Sequence, residues 1–159
     1  MKDIEALLRE HAFTQTLAPE TLATIAGCAK NRVFNAGEYV FREGQSADAF
    51  YLIRHGTVAL ENVVPGRGPV SFLTLKEGEM LGVSWLLPPY RWTYDARAVE
   101  LTRAFAFDAV CLRGKCETDP RVGYEMMKCF VPPLVERLQT ARLQALDLYG
   151  KREKAGLSK

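Results

Sequence analysis

The sequence has few of the features that mark membrane or secreted proteins. None of its 159 residues fall in an apolar run that approaches the roughly 18 residues of a membrane-spanning helix, so we expect no membrane segment. Residues 1–5 (MKDIE) begin an acidic amphipathic stretch, whereas a secretory signal begins with a basic stretch followed by an apolar one. These two observations predict a cytoplasmic protein.

Patterns typical of catalytic and metal sites are also scarce. The two histidines, His11 and His55, are far apart in the chain and do not form a convincing metal site. The sequence contains no nucleophile elbow and no phosphate-binding loop of the ATPase type. We therefore expect no metal and no enzymatic activity.

Cysteine is sparse as well, and the four residues are Cys28, Cys111, Cys116 and Cys129. In a chain of this size without an export signal, we expect them to be reduced. Cys28 and Cys129 lie in apolar helical contexts and are expected to be small core residues. Four residues separate Cys111 from Cys116, which is not the spacing of zinc or thioredoxin-like sites, so two inert thiols are expected there. The alternative is a redox pair, because the two cations between them would favour thiolate.

The overall composition is that of an ordinary soluble domain. Apolar residues make up 48% of the chain and charged residues 25%, and the net charge of +2 points to no particular partner. We expect a single domain over residues 1–159. Its predicted parts are N-terminal helices over 1–31, a β-barrel over 32–107, C-terminal helices over 108–149 and a polar tail over 150–159.

The central part alternates short strand-like runs with glycine-containing turns from Arg32 to Phe107. Short strands with closely spaced turns are typical of a β-sandwich or a β-barrel.

The C-terminal part has a helical heptad pattern. Its apolar residues recur at spacings of 3, 4, 3, 4 and 3, which predicts a coiled-coil seam and a homodimer. Pro132 and Pro133 each remove a backbone donor, so we expect a kink or break near Phe130. The predicted dimer interface consists of Val131, Leu134, Leu138, Ala141, Ala145 and Leu148.

Residues 36–58 (AGEYVFREGQSADAFYLIRHGTV) resemble the first half of a cyclic-nucleotide-binding domain, and residues 75–82 (LKEGEMLG) and 96–98 (ARA) resemble parts of the second half. The resemblance implies a mainly β fold with flanking helices, namely an eight-stranded antiparallel jelly-roll β-barrel (double-stranded β-helix). N-terminal helices and a long C-terminal helix, which usually forms the dimer contact, would complete the fold. In the Crp/Fnr-type regulators a helix-turn-helix follows that helix. Here about ten residues remain after the seam, so we expect no direct sequence-specific DNA binding.

The ligand cassette departs from the family pattern. The family places a glutamate for the ribose hydroxyl and an arginine for the cyclic phosphate at the positions occupied here by Val83 and Trp92. Arg91 lies one residue early, and in an extended segment that offset turns its side chain to the other face. The candidate ligand-binding residues are Gly82, Val83, Ser84, Trp85, Arg91, Trp92, Thr93 and Tyr94.

These residues support a regulatory sensor that binds a small effector other than cyclic AMP, or a cyclic nucleotide with altered affinity, and signals through its C-terminal helix to a regulatory protein partner. No cofactor is expected beyond such a nucleotide-like or other small effector. One alternative is a ligand-free interaction or scaffold module in which Trp85 and Trp92 fill the pocket. Another is a transcription regulator that works through a separate DNA-binding subunit.

Overall fold

The computed structural model describes residues 3–156. The chain divides into two compact units, Met1–Glu125 and Met126–Lys159. Asp3 caps the first helix by accepting from the Ala6 amide at 2.8 Å. The helices are α1 (Ile4–Glu10), a 3-10 helix (Ala12–Thr14), α2 (Pro19–Ala26), α3 (Ala109–Thr118) and α4 (Pro120–Gly156). The strands are β1 (Ala29–Phe34), β2 (Tyr39–Phe41), β3 (Ala49–His55), β4 (Thr57–Val64), β5 (Gly68–Lys76), β6 (Asp95–Ala98) and β7 (Thr102–Asp108).

The strands of the first unit form two antiparallel sheets. Their orders are β1-β7-β3 and β2-β6-β4-β5, and every neighbouring pair is antiparallel. The mainly β architecture with N-terminal helices and a long C-terminal helix is as predicted. The first strand begins at Ala29, three residues before the predicted start of the β-region.

The prediction of a closed eight-stranded barrel is wrong for the described residues, which contain seven strands in two separate sheets. The segment that precedes the cassette contributes one isolated bridge, between Met80 and Leu52, at the free edge of β3. Gly78, at φ 89°, turns the chain just before this bridge, and the cassette begins at Gly82 just after it. Too few extended residues remain between the turn at Gly78 and the start of the cassette for an eighth strand.

Glycine is required at the corner between β3 and β4. Gly56 has φ 102°, and a Cβ there would lie 2.7 Å from the Leu101 carbonyl oxygen. Both the left-handed backbone and the close approach to the chain before β7 exclude a larger residue.

A buried histidine joins the N-terminal segment to the sheets. His11 Nε2 lies 2.7 Å from the Ile53 carbonyl oxygen, while Nδ1 accepts a hydrogen bond from the Phe13 amide at 3.2 Å. An acceptor at Nδ1 requires the proton of the neutral ring to be on Nε2, which donates to Ile53. Burial is the largest influence on the pKa of His11 and lowers it. The histidine is therefore a structural link, and among the described residues no cluster of metal-ligating side chains occurs.

The expectation that all four cysteines are reduced is wrong, because Cys28 and Cys111 form a disulfide with a Cα–Cα distance of 5.8 Å. Cys28 immediately precedes β1, and Cys111 lies in the first turn of α3, directly after β7. The pairing of β1 with β7 therefore brings the two residues together, and the Asp108 amide donates to the Cys28 carbonyl at 2.9 Å. The alternative pairing of Cys111 with Cys116 is also wrong, since Cys116 and Cys129 are free thiols. Burial raises the pKa of the Cys116 thiol.

Helix α4 continues without interruption through Pro132 and Pro133, so the break predicted near Phe130 is absent. The helix also extends to Gly156, into the segment that the sequence places in a polar tail; residues 157–159 lie outside the described residues. In the second unit Val131, Leu138 and Leu148 expose 51%, 60% and 63% of their surface.

Within residues 3–156, no helix combines the length and the apolar character needed to cross a bilayer.

Candidate functional site

The cassette, residues 82–94, is an irregular segment between the Met80 bridge and β6. Its second half is held against the loop that precedes β3 by backbone hydrogen bonds. The Gly44 amide donates to the Trp92 carbonyl at 2.8 Å, and the Trp92 amide donates to the Gln45 carbonyl at 3.0 Å. The Ala47 amide donates to the Tyr90 carbonyl at 2.7 Å. Tyr90 has a left-handed backbone at φ 54°, whereas the bridge between Ser46 and Arg91 and the bonds of Trp92 make residues 91 and 92 locally extended. The side chains of these two residues therefore point to opposite faces.

Trp92 points into the interior. Its side chain is 2% exposed and stacks on Phe41 of β2, with ring centroids 3.6 Å apart and an interplanar angle of 4°. Phe41 in turn lies 6.2 Å from the ring of Tyr51 on β3. The indole therefore belongs to an aromatic cluster that spans the two sheets.

Arg91 points the opposite way, as the alternation of an extended segment requires. The residue is exposed, and its guanidinium donates to the Gly44 carbonyl at 2.9 Å. In this arrangement the arginine is not directed at the interior position that Trp92 occupies.

Tyr94 completes the filling of the cassette. Its hydroxyl donates to the Leu81 carbonyl at 2.8 Å, and its ring contacts Phe72 of β5 edge to face at 5.6 Å. A Cβ at Gly82 would collide with the Tyr94 hydroxyl and would lie 3.3 Å from the Trp92 ring. The absence of a Cβ at Gly82 thus leaves the space that the Tyr94 hydroxyl occupies.

The other predicted cassette residues occupy the walls. Trp85 is fully buried and lies 5.4 Å from the ring of Phe50, whereas Val83 and Ser84 are half-buried. Thr93 is exposed, and its carbonyl accepts from the Asn62 side chain at 3.1 Å. The structure thus brings Gly82, Trp92 and Tyr94 together and places Thr93 and Arg91 outside the aromatic cluster.

Arg113 of α3 contacts the cassette, and the sequence alone does not predict this contact. Its guanidinium donates to the Trp85 carbonyl and lies 4.1 Å from the centroid of the Tyr90 ring. The sequence indicates only that Arg113 lies between two cysteines, and nothing local in it points to a loop more than twenty residues earlier. The contact joins α3 directly to both halves of the cassette.

A charged cluster next to the cassette is internally neutralised. Arg97 of β6 binds both carboxylate oxygens of the buried Glu61, at 2.8 and 3.3 Å, and this hydrogen bonding raises the pKa of Arg97. Arg42 lies 3.3 Å from the buried Asp95, which also accepts from the Glu43 amide at 2.7 Å. Both arginines pair with carboxylates of the sheet, so neither takes the role of the phosphate arginine that the family pattern contains.

The family profile of the cyclic nucleotide-binding domain matches residues 31–119, more than half of the chain. The chain belongs to the cyclic nucleotide-binding domain family. Its matched region contains most of β1, the strands β2 to β7, the whole cassette and α3.

Curated and solved relatives agree with this assignment. Cyclic nucleotide-gated ion channel 18 of Arabidopsis thaliana is 27% identical over 149 residues, which cover 87% of this chain and 19% of the channel. The chain thus spans about a fifth of the length of that relative. A crystal structure of a protein from Geobacter metallireducens GS-15 described as cyclic nucleotide-binding superposes with TM-score 0.75 at 29% identity, covering 87% of this chain and 99% of that one.

The fold is also that of a bacterial sensor domain. The sensor domain of the transcriptional regulator DNR from Pseudomonas aeruginosa superposes with TM-score 0.66 at 20% identity, covering 84% of this chain and 89% of that one. The chain therefore has the jelly-roll fold of cyclic nucleotide-binding regulatory domains, and its function depends on what its own cassette contains.

Proposed function

We propose that this chain is a regulatory module in which the protein's own aromatic side chains occupy the cyclic-nucleotide cassette. The observation that carries the proposal is the buried Trp92, stacked on Phe41 at the position where the family pattern has its phosphate arginine. An indole provides no charge for a phosphate, and in this position it also takes up interior space.

The energetics argue against cyclic AMP as a tight ligand. An arginine paired with a phosphate is a charge-assisted and often bidentate contact. Loss of one partner of such a buried pair costs about 2–5 kcal/mol, or tens- to thousands-fold in affinity. The absence of the ribose glutamate at Val83 adds to this loss, and Tyr94 must also be displaced before a ligand can enter.

Effector sensing is the second candidate function, and the position of Tyr94 favours it. Tyr94 is half-buried, and its hydroxyl donates to the Leu81 carbonyl. Its ring contacts Phe41 and Trp92 on the inside and Phe72, which is itself 44% exposed, on the outside. A small effector with an aromatic or apolar body could displace this side chain and use the aromatic walls. Arg113 would then transmit the change to α3.

The C-terminal helix is the proposed contact with partners. Its seam residues on the second unit are mostly exposed in the single chain, which supports a homodimer formed by two copies of α4 or a regulatory protein that takes the place of the second copy. Signalling through this helix, a cytoplasmic location and the lack of direct sequence-specific DNA binding remain parts of the proposal.

Calorimetry tests the proposal most directly. We expect cyclic AMP to bind the wild-type chain more weakly than about 100 μM, given the penalty for the missing arginine. The double variant Val83→Glu/Trp92→Arg restores both charged partners and should bind at least about tenfold more tightly than wild type. Trp92→Phe is the matched control, because it keeps an aromatic ring against Phe41 and should bind no more tightly than wild type. A low-micromolar constant for the wild-type chain would overturn the proposal.

A further inference from the structure

The Cys28–Cys111 disulfide lies between two cavities of the first unit. The first cavity has a volume of about 480 Å³ and is lined by both cysteines together with Lys30, Arg32, Asp48 and Tyr51. The second has a volume of about 410 Å³ and is lined by Cys111 but not by Cys28, together with Thr24, Gly114 and Lys115. Cys111 is half-buried, whereas Cys28 is 8% exposed. Cys111 thus borders both cavities, whereas Cys28 borders the first one only.

The same helix that carries Cys111 also holds the cassette. Arg113, two residues after Cys111, donates to the Trp85 carbonyl and stacks on Tyr90. The disulfide anchors the first turn of this helix to the residue before β1. A change at the disulfide therefore acts on the element that joins the two halves of the cassette.

We propose that Cys28–Cys111 is a thiol–disulfide exchange site that takes a small dithiol as its reductant and whose reduction loosens α3 from β1. A thiolate of the reagent attacks Cys111 Sγ and forms a mixed disulfide, while the bond to Cys28 Sγ breaks and Cys28 leaves as a thiolate that takes up a proton. The second thiol of the reagent then attacks the reagent sulfur that is bonded to Cys111. Cys111 is released as a thiolate, and the reagent becomes a cyclic disulfide. Two electrons pass from the dithiol to the protein.

The geometry selects Cys111 as the sulfur that is attacked. Exchange proceeds along the axis of the S–S bond, so the reagent approaches Cys111 from the side away from Cys28. The second cavity is lined by Cys111 and not by Cys28, so it offers a path to Cys111 alone. Gly114 leaves its wall open, since a Cβ there would meet nothing within 4 Å, and the cation of Lys115 favours an approaching thiolate.

After reduction α3 keeps its local anchors. The Asp108 carboxylate caps the Cys111 amide at 2.7 Å, and the Ala109 amide donates to the Asp48 carbonyl at 2.9 Å. Leu112 is fully buried. We therefore expect the helix to shift and not to unfold when the disulfide is reduced. The contacts of Arg113 with Trp85 and Tyr90 should then change.

Alkylation and mass mapping of the whole chain test the exchange. The oxidised protein, quenched in acid and alkylated in denaturant, should carry two labels, on Cys116 and Cys129. Treatment with dithiothreitol under native conditions should raise the number to four. Gly114→Leu fills the wall of the second cavity and should slow native reduction at least about tenfold, while reduction in denaturant keeps the wild-type rate. Cys116→Ser, on the same helix, is the matched control and should react like wild type.

A second variant and a second readout keep the proposal independent of how Gly114→Leu folds. Lys115→Glu reverses the charge beside the path and should slow the attack of an anionic thiol by about threefold or more. In a Trp92→Phe background, the fluorescence of Trp85 should change on reduction, because Arg113 moves at its carbonyl. Four labels on the oxidised chain, native rates unaffected by both variants, or unchanged Trp85 emission would each overturn the proposal. The labelling and reduction-rate measurements do not depend on what occupies the cassette.

Discussion

Truncation of Trp92 should cost the chain a large part of its stability. Trp92→Ala removes an indole that is 2% exposed and lies 3.6 Å from the ring of Phe41. Truncations of buried tryptophan or phenylalanine to alanine cost about 3–5 kcal/mol, because transfer free energy is lost and a cavity remains. The stacked pair itself contributes about 0.5–1.5 kcal/mol beyond burial. We expect a decrease of about 3–5 kcal/mol in the free energy of unfolding.

Urea denaturation followed by far-UV circular dichroism measures this change without relying on tryptophan fluorescence. Arg91→Ala is the matched control, since the neighbouring side chain is exposed and makes one hydrogen bond, to the Gly44 carbonyl. The control should lose less than about 1.5 kcal/mol. If Trp92→Ala loses less than about 1 kcal/mol, the indole does not fill the interior and the reasoning about the cassette fails.

Three further predictions concern other parts of the chain. Leu138→Glu, at the centre of the α4 seam, should convert a dimer to a monomer in light scattering. Leu143→Glu, which is 66% exposed on the same helix but off the seam, should leave the mass unchanged. A wild-type chain that is monomeric at tens of micromolar would reject the dimer. Gly56→Ala should lower the free energy of unfolding by at least about 2 kcal/mol in urea denaturation, because it adds a collision with the Leu101 carbonyl to the strain of a positive φ. Gly66→Ala, also at positive φ but in open space, should cost less, and equal losses would contradict this account. Burial lowers the pKa of His11 below its ordinary 6.5, so that the unfolded chain binds the proton more readily than the folded chain as the pH falls. The free energy of unfolding should therefore decrease below about pH 6.5. His11→Gln should flatten that dependence in pH-resolved denaturation, and an unchanged slope would contradict the assignment.

The sequence predicts local features of the cassette well, because they follow from residue spacing. Alternation along an extended segment separates Arg91 from Trp92, and the two side chains do lie on opposite faces. The mainly β architecture follows from short strand-like runs between glycine turns. The resemblance predicts an eighth strand, but between the turn at Gly78 and the irregular cassette that begins at Gly82 only the Met80 bridge forms.

The errors arise where distant segments meet. The Cys28–Cys111 disulfide depends on the pairing of β1 with β7 across 83 residues, which no local spacing of cysteines reveals. The contact of Arg113 with Trp85 depends in the same way on how α3 packs after β7. In α4 the two prolines predict a kink or break near Phe130, but the helix continues because the helical sequence on both sides of them outweighs the lost hydrogen bonds.

Gly82 illustrates how the scaffold of the family is kept while its chemistry changes. In the family pattern the glycine stands next to the glutamate of the phosphate cassette, and here Val83 follows it. The missing Cβ at Gly82 now makes room for the Tyr94 hydroxyl, which is hydrogen-bonded to Leu81 one residue earlier. In this structure Gly82 therefore borders a side chain of the protein itself. The stacked Trp92 and the hydrogen-bonded Tyr94 make the cassette a packed element of the fold. Under the proposed function, its opening by an effector or by movement of α3 would be the regulated event.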